Sequence, residues 1–330
     1  MMLDYMSLAQ IAEQAEKKCM SIGMLVMYDQ AEQTDMDVNQ ILENMERQLN
    51  VMMEAAKKGR DREIRSASGL TGGDAFKMHL HTENNAAMCG SFCSYAMTTA
   101  MAVAEYNASM GRIVACPTAG SCGILPGAVL TMMDKKGVSR SKALLGLICA
   151  GAVGMVIANK ATLSGAAGGC QAECGSASAM AAAAIVEMAG GSPSMAVEAA
   201  AMAIKNQMGL VCDPVAGLVE VPCVKRNGVY AVMAISAADM ALAGIRSFIP
   251  LDEVIDAMYQ IGCSMPSCIR ETAEGGLAAT PTGLAAYRAK CFVDSTGDGM
   301  LAFLAGAPFS MGRDSDGRCQ PVTIAPLPLK

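Results

Sequence analysis

The sequence has few aromatic side chains and few charges. It contains no Trp, seven Tyr and six Phe among its 330 residues, and charged residues make up 17%. Hydrophobic residues account for 52%, a balance that excludes a disordered chain and predicts a packed globule. Because aromatic residues are scarce, Ala, Leu, Ile, Val and 29 Met must fill the core, and flexible Met suits irregular gaps between helices.

Positive charge is also in short supply. The formal net charge is −6, and no cluster of Lys and Arg indicates a nucleic-acid or membrane-surface partner. The N-terminus has no apolar run typical of a signal peptide. The longest uncharged run, residues 143–159, is short for a membrane span and is bounded by Lys142 and Lys160. We therefore predict a cytoplasmic protein, and a membrane module is an alternative that hydropathy alone suggests.

No C-x-x-C pair occurs among the 14 cysteines. Its absence argues against a thioredoxin-like motif and a zinc ribbon, and no ferredoxin-type run of cysteines occurs either. Without an export signal, we expect reduced thiols and metal ligation rather than a disulfide scaffold.

Helical periodicity covers most of the chain. One amphipathic helix is predicted to start at Thr34, where Thr34 and Asp37 have the spacing of a capping box. Only residues 112–115 and 218–224 look strand-like, and neither belongs to a βαβ series. The predicted fold is mostly α, a single helical catalytic domain in which Gly/Cys/Pro-rich loops form the site. Further helices are predicted over 86–109, 141–158, 176–189, 194–208, 228–247 and 251–261.

The predicted organisation has three parts. Residues 1–65 form N-terminal helices that pack on the core, residues 66–289 form the catalytic domain within the same structural unit, and residues 290–330 form an irregular tail. Five loops rich in Gly, Cys or Pro suggest a single site assembled at helix ends, because Gly lets the backbone approach a ligand closely. These loops are residues 66–74, 116–127, 159–176, 209–223 and 271–283.

The loop cysteines are the candidate ligands. A thiolate at a loop or helix N-terminus is stabilised by nearby N–H groups, whereas Cys89, Cys93 and Cys149 fall in helical stretches and are predicted to pack in the core. The candidates are Cys116, Cys122, Cys170, Cys174, Cys212 and Cys223.

Several of these loops carry a resemblance to a known family. The segments SASGLTGGD (66–74), EYNASMGRIVACPTAGSCGILPG (105–127), GGCQAECGSASAM (168–180), GLVCDPVAGLVEVPC (209–223) and ETAEGGLA (271–278) occur in one order. They are similar to the signature segments of the iron–sulfur-dependent L-serine dehydratase family. The chain resembles the alpha subunit of the two-subunit type.

The resemblance implies that Cys170, Cys212 and Cys223 hold a 4Fe–4S cluster. We interpret Cys116, Cys122 and Cys174 as structural thiols. Three thiolates leave one iron open, and that iron would act as a Lewis acid on the serine carboxylate and hydroxyl. A base would remove the α-proton, and the products would be pyruvate and ammonia. The resemblance also implies a beta subunit, an oligomer, no pyridoxal phosphate, loss of activity in air, and a role in amino-acid catabolism and gluconeogenesis.

The sequence does not assign roles to the remaining candidate site residues. Residues in the matching loops could contact the substrate carboxylate or ammonium, or could simply fix the loops: Ser68, Thr71, Thr118, Ser121 and Arg270. The general base is not identified; its candidates are His79, His81 and Lys77, then Lys160, Lys225 and Glu173.

Two positions depart from the family pattern. Ala167 stands where a carboxylate is common three residues before the first ligand, and Cys319 lies in a tail that does not resemble the family. Alternative functions are a related cluster-dependent lyase, such as a cysteine desulfidase or another amino-acid hydro-lyase, and a pyridoxal-phosphate lyase. The latter would need a Schiff-base lysine that the sequence does not single out.

Overall fold

The computed structural model describes residues 3–283, and its architecture is a bundle of α-helices. No strand forms within these residues, so the prediction of a mostly α fold is confirmed. Residues 112–115 and 218–224 are irregular or turn into a helix, and the described part holds one isolated bridge, between Cys212 and Arg270. The helices are α1 (Leu8–Lys17), α2 (Ile22–Thr34), α3 (Val38–Lys58), α4 (Asp74–Glu83), α5 (Gly90–Ala108), α6 (Ile124–Lys136), α7 (Arg140–Lys160), α8 (Gly165–Gly168), α9 (Ser176–Ala189), α10 (Pro193–Lys205), α11 (Cys223–Leu242) and α12 (Leu251–Ser264).

Helix boundaries follow capping chemistry. The prediction that a helix starts at Thr34 is wrong: Thr34 is the last residue of α2, and Asp35 breaks the helix with a φ of 56°. The capping box belongs instead to Asp37 and Gln40, whose side chains bond reciprocally to each other's backbone N–H at the start of α3. Helix α9 has the bounds predicted from the sequence, residues 176–189.

The core is built around α9, which packs against α6, α7, α10 and α11. Nearly all of α9 is buried, and half of its residues are Ala. Small residues let the helices approach closely, and Met fills the space that remains. A Cβ at Gly146 of α7 would lie 2.7 Å from Met188 Cγ, and one at Gly154 would lie 3.2 Å from Met180 Cε. Methionines of α9 thus occupy the gaps that glycines leave on α7.

One described helix, Arg140–Lys160, is long and apolar enough to cross a membrane by length and composition. In the structure 67% of its apolar window is buried against other helices of the protein. Its hydropathy is therefore accounted for by its place beside α9 in the core.

The N-terminal helices pack on this core, α1 on α10, α2 on α7 and α3 on α5. Buried Asp29 ties the start of the chain down by accepting hydrogen bonds from Leu3 N and Tyr5 Oη, both at 2.7 Å. The division into residues 1–65, 66–289 and 290–330 stays a prediction. The tail and Cys319 lie outside the described residues.

Candidate functional site

Three loops bring Cys170, Cys212 and Cys223 together. Cys170 follows α8 and precedes a π-helical turn, Gln171–Gly175, that leads into α9. Cys212 lies in the loop after α10, and Cys223 is the first residue of α11. All three are buried, with Cys170 in hydrogen-bonding reach of Cys212 and close enough to Cys223 for their charges to interact.

The loop before Cys170 depends on a glycine. Gly169 has a φ of 74°, and a Cβ there would lie 2.6 Å from Met265 Sδ and 2.8 Å from Leu210 O. Gln171, the residue after Cys170, donates from its backbone N to that same Leu210 oxygen at 3.0 Å. Because only glycine permits this approach, the Cys170 and Cys212 loops run side by side.

Cys212 is also held on its other side. Its backbone N donates to Ile269 O at 3.0 Å, and its carbonyl accepts from Glu271 N at 2.6 Å. These bonds form the isolated bridge to Arg270 and bring the last of the five predicted loops against the cysteines.

Cys174, which is interpreted from the sequence as a structural thiol, lies beside Cys170. Its Sγ lies 3.3 Å from Cys170 Sγ. Hydrogen bonds from Cys174 and Cys212, together with the charge of Arg226, hold the pKa of Cys170 well below its usual range. The hydrogen bond to the Cys170 thiolate in turn raises the pKa of Cys174 and that of Cys212. Burial raises the pKa of Cys223 to about 12. Deprotonation of Cys174, Cys212 or Cys223 in addition to Cys170 would therefore require a positive charge beside these thiols.

Glu173 is the carboxylate that contacts this group. Its Oε2 lies 3.8 Å from Cys212 Sγ, and Thr118 is in hydrogen-bonding reach. Burial, followed by the charge of Cys170, raises the pKa of Glu173 to about 7. A Cβ at Gly165 would lie 2.7 Å from its Oε2, so the space around the carboxylate is kept by residues without side chains.

Thr118 and Ser121 lie in the 116–127 loop beside Glu173. Their hydroxyls are 3.1 Å apart, and Ser121 is fully buried. Buried Asn227 of α11 fixes this loop: its Oδ1 accepts from Gly123 N at 2.7 Å, and its Nδ2 donates to Gly120 O at 2.8 Å. The same Nδ2 lies 2.9 Å from Cys223 O, which ties the loop to the third cysteine.

Ser68 and Thr71 both donate to buried Glu220, three residues before Cys223. Ser68 Oγ is 2.9 Å from each carboxylate oxygen, and Thr71 Oγ1 is 3.0 Å from Oε2. No cation is paired with Glu220 among residues 3–283. Glu220, which is not among the residues predicted from the sequence, thus joins the 66–74 loop to the 209–223 loop.

Arg270 lies beside Cys212 with part of its guanidinium unused. Its Nη1 donates to Ala167 O at 3.4 Å, whereas its buried Nε has no hydrogen-bond partner in the described part of the chain. Buried donors are nearly always paired, so an unpaired one next to a candidate site points to an acceptor from outside the chain.

The candidate bases other than Glu173 lie outside this group of contacts. His79, His81 and Lys77 are on α4, where Lys77 pairs with Asp74 at 2.9 Å. Lys225 pairs with Asp74 as well, at 2.6 Å, and Lys160 pairs with Asp256. Over residues 3–283 no hydrogen bond or ion pair joins any of these side chains to the cysteines, and their roles stay predictions.

The other cysteines divide by burial. Cys149 is fully buried in α7 and Cys93 is half-buried, as expected of packing residues, and burial raises the pKa of Cys149, Cys116 and Cys122. The prediction that Cys89 packs in the core is wrong: Cys89 is the N-cap residue of α5, and its side chain is exposed.

The chemistry of the donor set, buried thiols, is compatible with an iron–sulfur cluster. No three His, Cys, Asp or Glu side chains of the described residues converge as ligands of one ion. A cluster spreads its ligands over separate irons, so the thiols that hold it need not meet at one point. Soft thiolates are the ligands that iron–sulfur clusters take, and buried thiols from three loops fit that chemistry.

Comparisons with known proteins give a consistent match. The family described as "Serine dehydratase alpha chain" matches residues 13–278. A "Probable L-serine dehydratase, alpha chain" of Bacillus subtilis is 50% identical over 279 residues, 84% of this chain and 93% of that protein. An "L-serine dehydratase, alpha chain" of Peptoniphilus asaccharolyticus is 40% identical over 83% of this chain and 94% of its own length.

Two further matches concern length and the C-terminus. "L-serine dehydratase TdcG" of Escherichia coli is 46% identical over 182 residues, and the match covers 40% of that longer protein. A second family, described as "FAD dependent oxidoreductase", matches residues 267–328, most of which lie outside the described residues. The predicted tail, 290–330, falls largely within that second match.

Proposed function

Since the chain belongs to the serine dehydratase alpha chain family, we propose that it is the alpha subunit of an L-serine dehydratase, which converts L-serine to pyruvate and ammonia. Support comes from relatives of that name that are 40–60% identical to it. The name alpha chain also supports a separate beta subunit as the partner. The cytoplasmic location and the oligomeric state stay predictions.

Cys170, Cys212 and Cys223 are the proposed ligands of a 4Fe–4S cluster. When bound, the cluster supplies a Lewis acid that polarises the hydroxyl to be eliminated. The chain supplies the enclosure: the three cysteines are buried, and a Cβ at Gly165 would lie 3.0 Å from Cys212 Sγ, so glycine leaves space beside that thiol. A cluster with one open iron is easily oxidised, so we expect activity to be lost in air although the three cysteines are buried.

Substrate contacts are proposed from the hydrogen-bonding state of each side chain. Arg270 has an unpaired buried Nε and would bind the carboxylate of serine. Glu220 is a buried carboxylate with two hydroxyl donors and would attract the ammonium group. Ser68 and Thr71 would then act mainly by fixing Glu220, because their protons are committed to it. Thr118 and Ser121 would line the opposite side, next to Glu173.

The observation that carries the proposal is the meeting of three loop thiols whose positions span 54 residues of sequence. The test is anaerobic purification with the beta subunit, reconstitution with iron and sulfide, and measurement of iron, sulfide and serine turnover. Cys170→Ala, Cys212→Ala and Cys223→Ala should each lose iron and turnover together. Product analysis separates this activity from a cysteine desulfidase, which would release sulfide from cysteine.

Cys149→Ala is the matched control, because Cys149 is equally buried but packs in α7 beside Glu187. It should keep both iron and turnover. A cluster retained unchanged after all three ligand cysteines are replaced would contradict the proposal. Activity that borohydride abolishes in iron-free protein would favour a pyridoxal-phosphate lyase.

A further inference from the structure

An arginine in the first turn of α11 contacts all three cysteine loops. Arg226 comes three residues after Cys223 and therefore lies on the same face of the helix. Its Nη1 donates to Val211 O and its Nη2 to Asp213 Oδ1, both at 2.9 Å. Val211 and Asp213 are the two neighbours of Cys212 in sequence, so the guanidinium forms hydrogen bonds to the Cys212 loop on both sides of the cysteine.

Asp213 extends these contacts to a fourth segment. Its Oδ2 accepts from Leu277 N at 2.8 Å, and a Cβ at Gly276 would lie 2.5 Å from the same oxygen. The Asp213 side chain is 4% exposed and that of Arg226 14%, so this ion pair is shielded from solvent. Removing one partner of such a pair leaves an uncompensated buried charge, which is strongly destabilising.

The remaining side of the guanidinium faces the first cysteine. Arg226 is in hydrogen-bonding reach of the Cys170 thiol, next to the contacts that Cys170 makes with Cys174 and Cys212. The planar fork of arginine can serve several acceptors at once, which the point charge of lysine cannot do in the same geometry. One side chain therefore links a cysteine on its own helix, the loop around a second cysteine, and the thiol of a third.

We propose that Arg226 is a positioning residue for the cluster, which gathers the three cysteine loops and balances the charge of the thiolates. The inference rests on the proposed function, since it concerns how the proposed cluster is held. A 4Fe–4S core in its resting state with three thiolate ligands carries one net negative charge, and Arg226 places a positive charge against it. Asp213 offsets part of that charge from the other side. Side chains that orient metal ligands typically change metal affinity about 10- to 100-fold when replaced.

The test uses the full chain, reconstituted anaerobically with iron and sulfide, in four forms: wild type, Arg226→Gln, Arg226→Lys and Asp213→Asn. Two quantities are measured besides activity, the rate of iron loss to a chelator and the midpoint potential of the cluster. Arg226→Gln should lose iron about 10- to 100-fold faster and lower the potential, because a positive charge near the cluster favours its reduced form. Asp213→Asn should shift the potential in the opposite direction.

Arg226→Lys keeps the positive charge but loses the planar guanidinium that donates to several acceptors at once. Its potential should stay near that of the wild type, while its iron loss should fall between those of the wild type and Arg226→Gln. A merely structural role for the pair predicts no opposite shifts of potential. Far-ultraviolet circular dichroism shows whether each variant folds. If Arg226→Gln does not fold, the potentials of Arg226→Lys and Asp213→Asn test the inference instead. An unshifted potential in Asp213→Asn overturns it.

The two proposals fail in different ways. Wild-type protein that takes up no cluster would contradict the proposed function itself. Wild type with a stable cluster and an Arg226→Gln variant with the same iron retention and potential would overturn only the role of Arg226.

Discussion

The helical core and the cysteine loops are buried by opposite means. Around α9 the packing is dominated by Ala, Gly and Met, and close approach of the helices replaces large side chains. Around Cys170 and Cys212 the buried groups are thiols, an ion pair and a carboxylate with a pKa of about 7. The first region stabilises the fold by its packing, whereas the second holds groups whose burial costs free energy and which need partners. Substitutions in the core should therefore change stability and leave iron binding intact, and substitutions in the loops should change iron binding.

The largest loss of stability is expected for Gly59→Ala, where α3 ends against α5. A Cβ at Gly59 would lie 1.8 Å from the backbone oxygen of Ala102, an atom that cannot move without the helix. Overpacking of this kind costs about 3 kcal/mol of unfolding free energy. Urea unfolding under anaerobic conditions measures it, and iron per folded chain should be unchanged. A variant as stable as the wild type would show that the helices can separate freely.

Asn227→Ala should lower both the unfolding free energy and the retention of iron, because Asn227 lies where the helical core meets the cysteine loops. It removes the side-chain partner of buried Gly123 N and Gly120 O and a second partner of Cys223 O, at a cost of about 2 kcal/mol. Because Asn227 ties the 116–127 loop to the third cysteine, iron should also be lost faster to a chelator.

Asn206→Ala is the control for that variant. Asn206 makes one hydrogen bond, from its Nδ2 to Met202 O at the end of α10. The change should cost about 0.5 kcal/mol and leave iron retention unaltered. Equal loss of iron in both variants would mean that retention follows global stability, and the contrast between the regions would not hold.

Ile157→Val examines packing alone. Ile157 is fully buried in α7, and removing one methylene there should cost about 1 kcal/mol. Urea unfolding should register that loss with no change in iron content or serine turnover. A drop in turnover at unchanged iron content would reveal coupling between the core and the site.

Gly151→Ala is expected to have the smallest effect and the opposite sign. No atom lies within 4 Å of the position where its Cβ would stand, and the residue is in the middle of α7. Replacing a helical glycine by alanine at an open position should raise the unfolding free energy by about 0.5–1 kcal/mol. A loss of stability would mean that another side chain occupies the space beside Gly151 in solution.

Much of the fold was accessible from the sequence, and the exceptions have identifiable causes. The apolar Ser176–Ala189 segment was predicted with its observed bounds because Gly175 and Gly190 enclose a run of strong helix formers. The start of α3 was placed too early because Thr34 and Asp37 share a spacing with the true pair, Asp37 and Gln40. Helix α6 went unpredicted, since its first turn lies within a loop-like run of Gly, Cys and Pro.

The sequence by itself determined the helical class, the apolar core rich in Ala and Met, and the loops that carry the candidate ligands, because composition and local periodicity encode these features directly. The tertiary structure decided which side chains act on one another. Only the folded chain sets Arg226 across Cys212, commits Ser68 and Thr71 to Glu220, and brings Cys174 to Cys170. Such partnerships join residues from separate loops, and no local pattern specifies the distance between them.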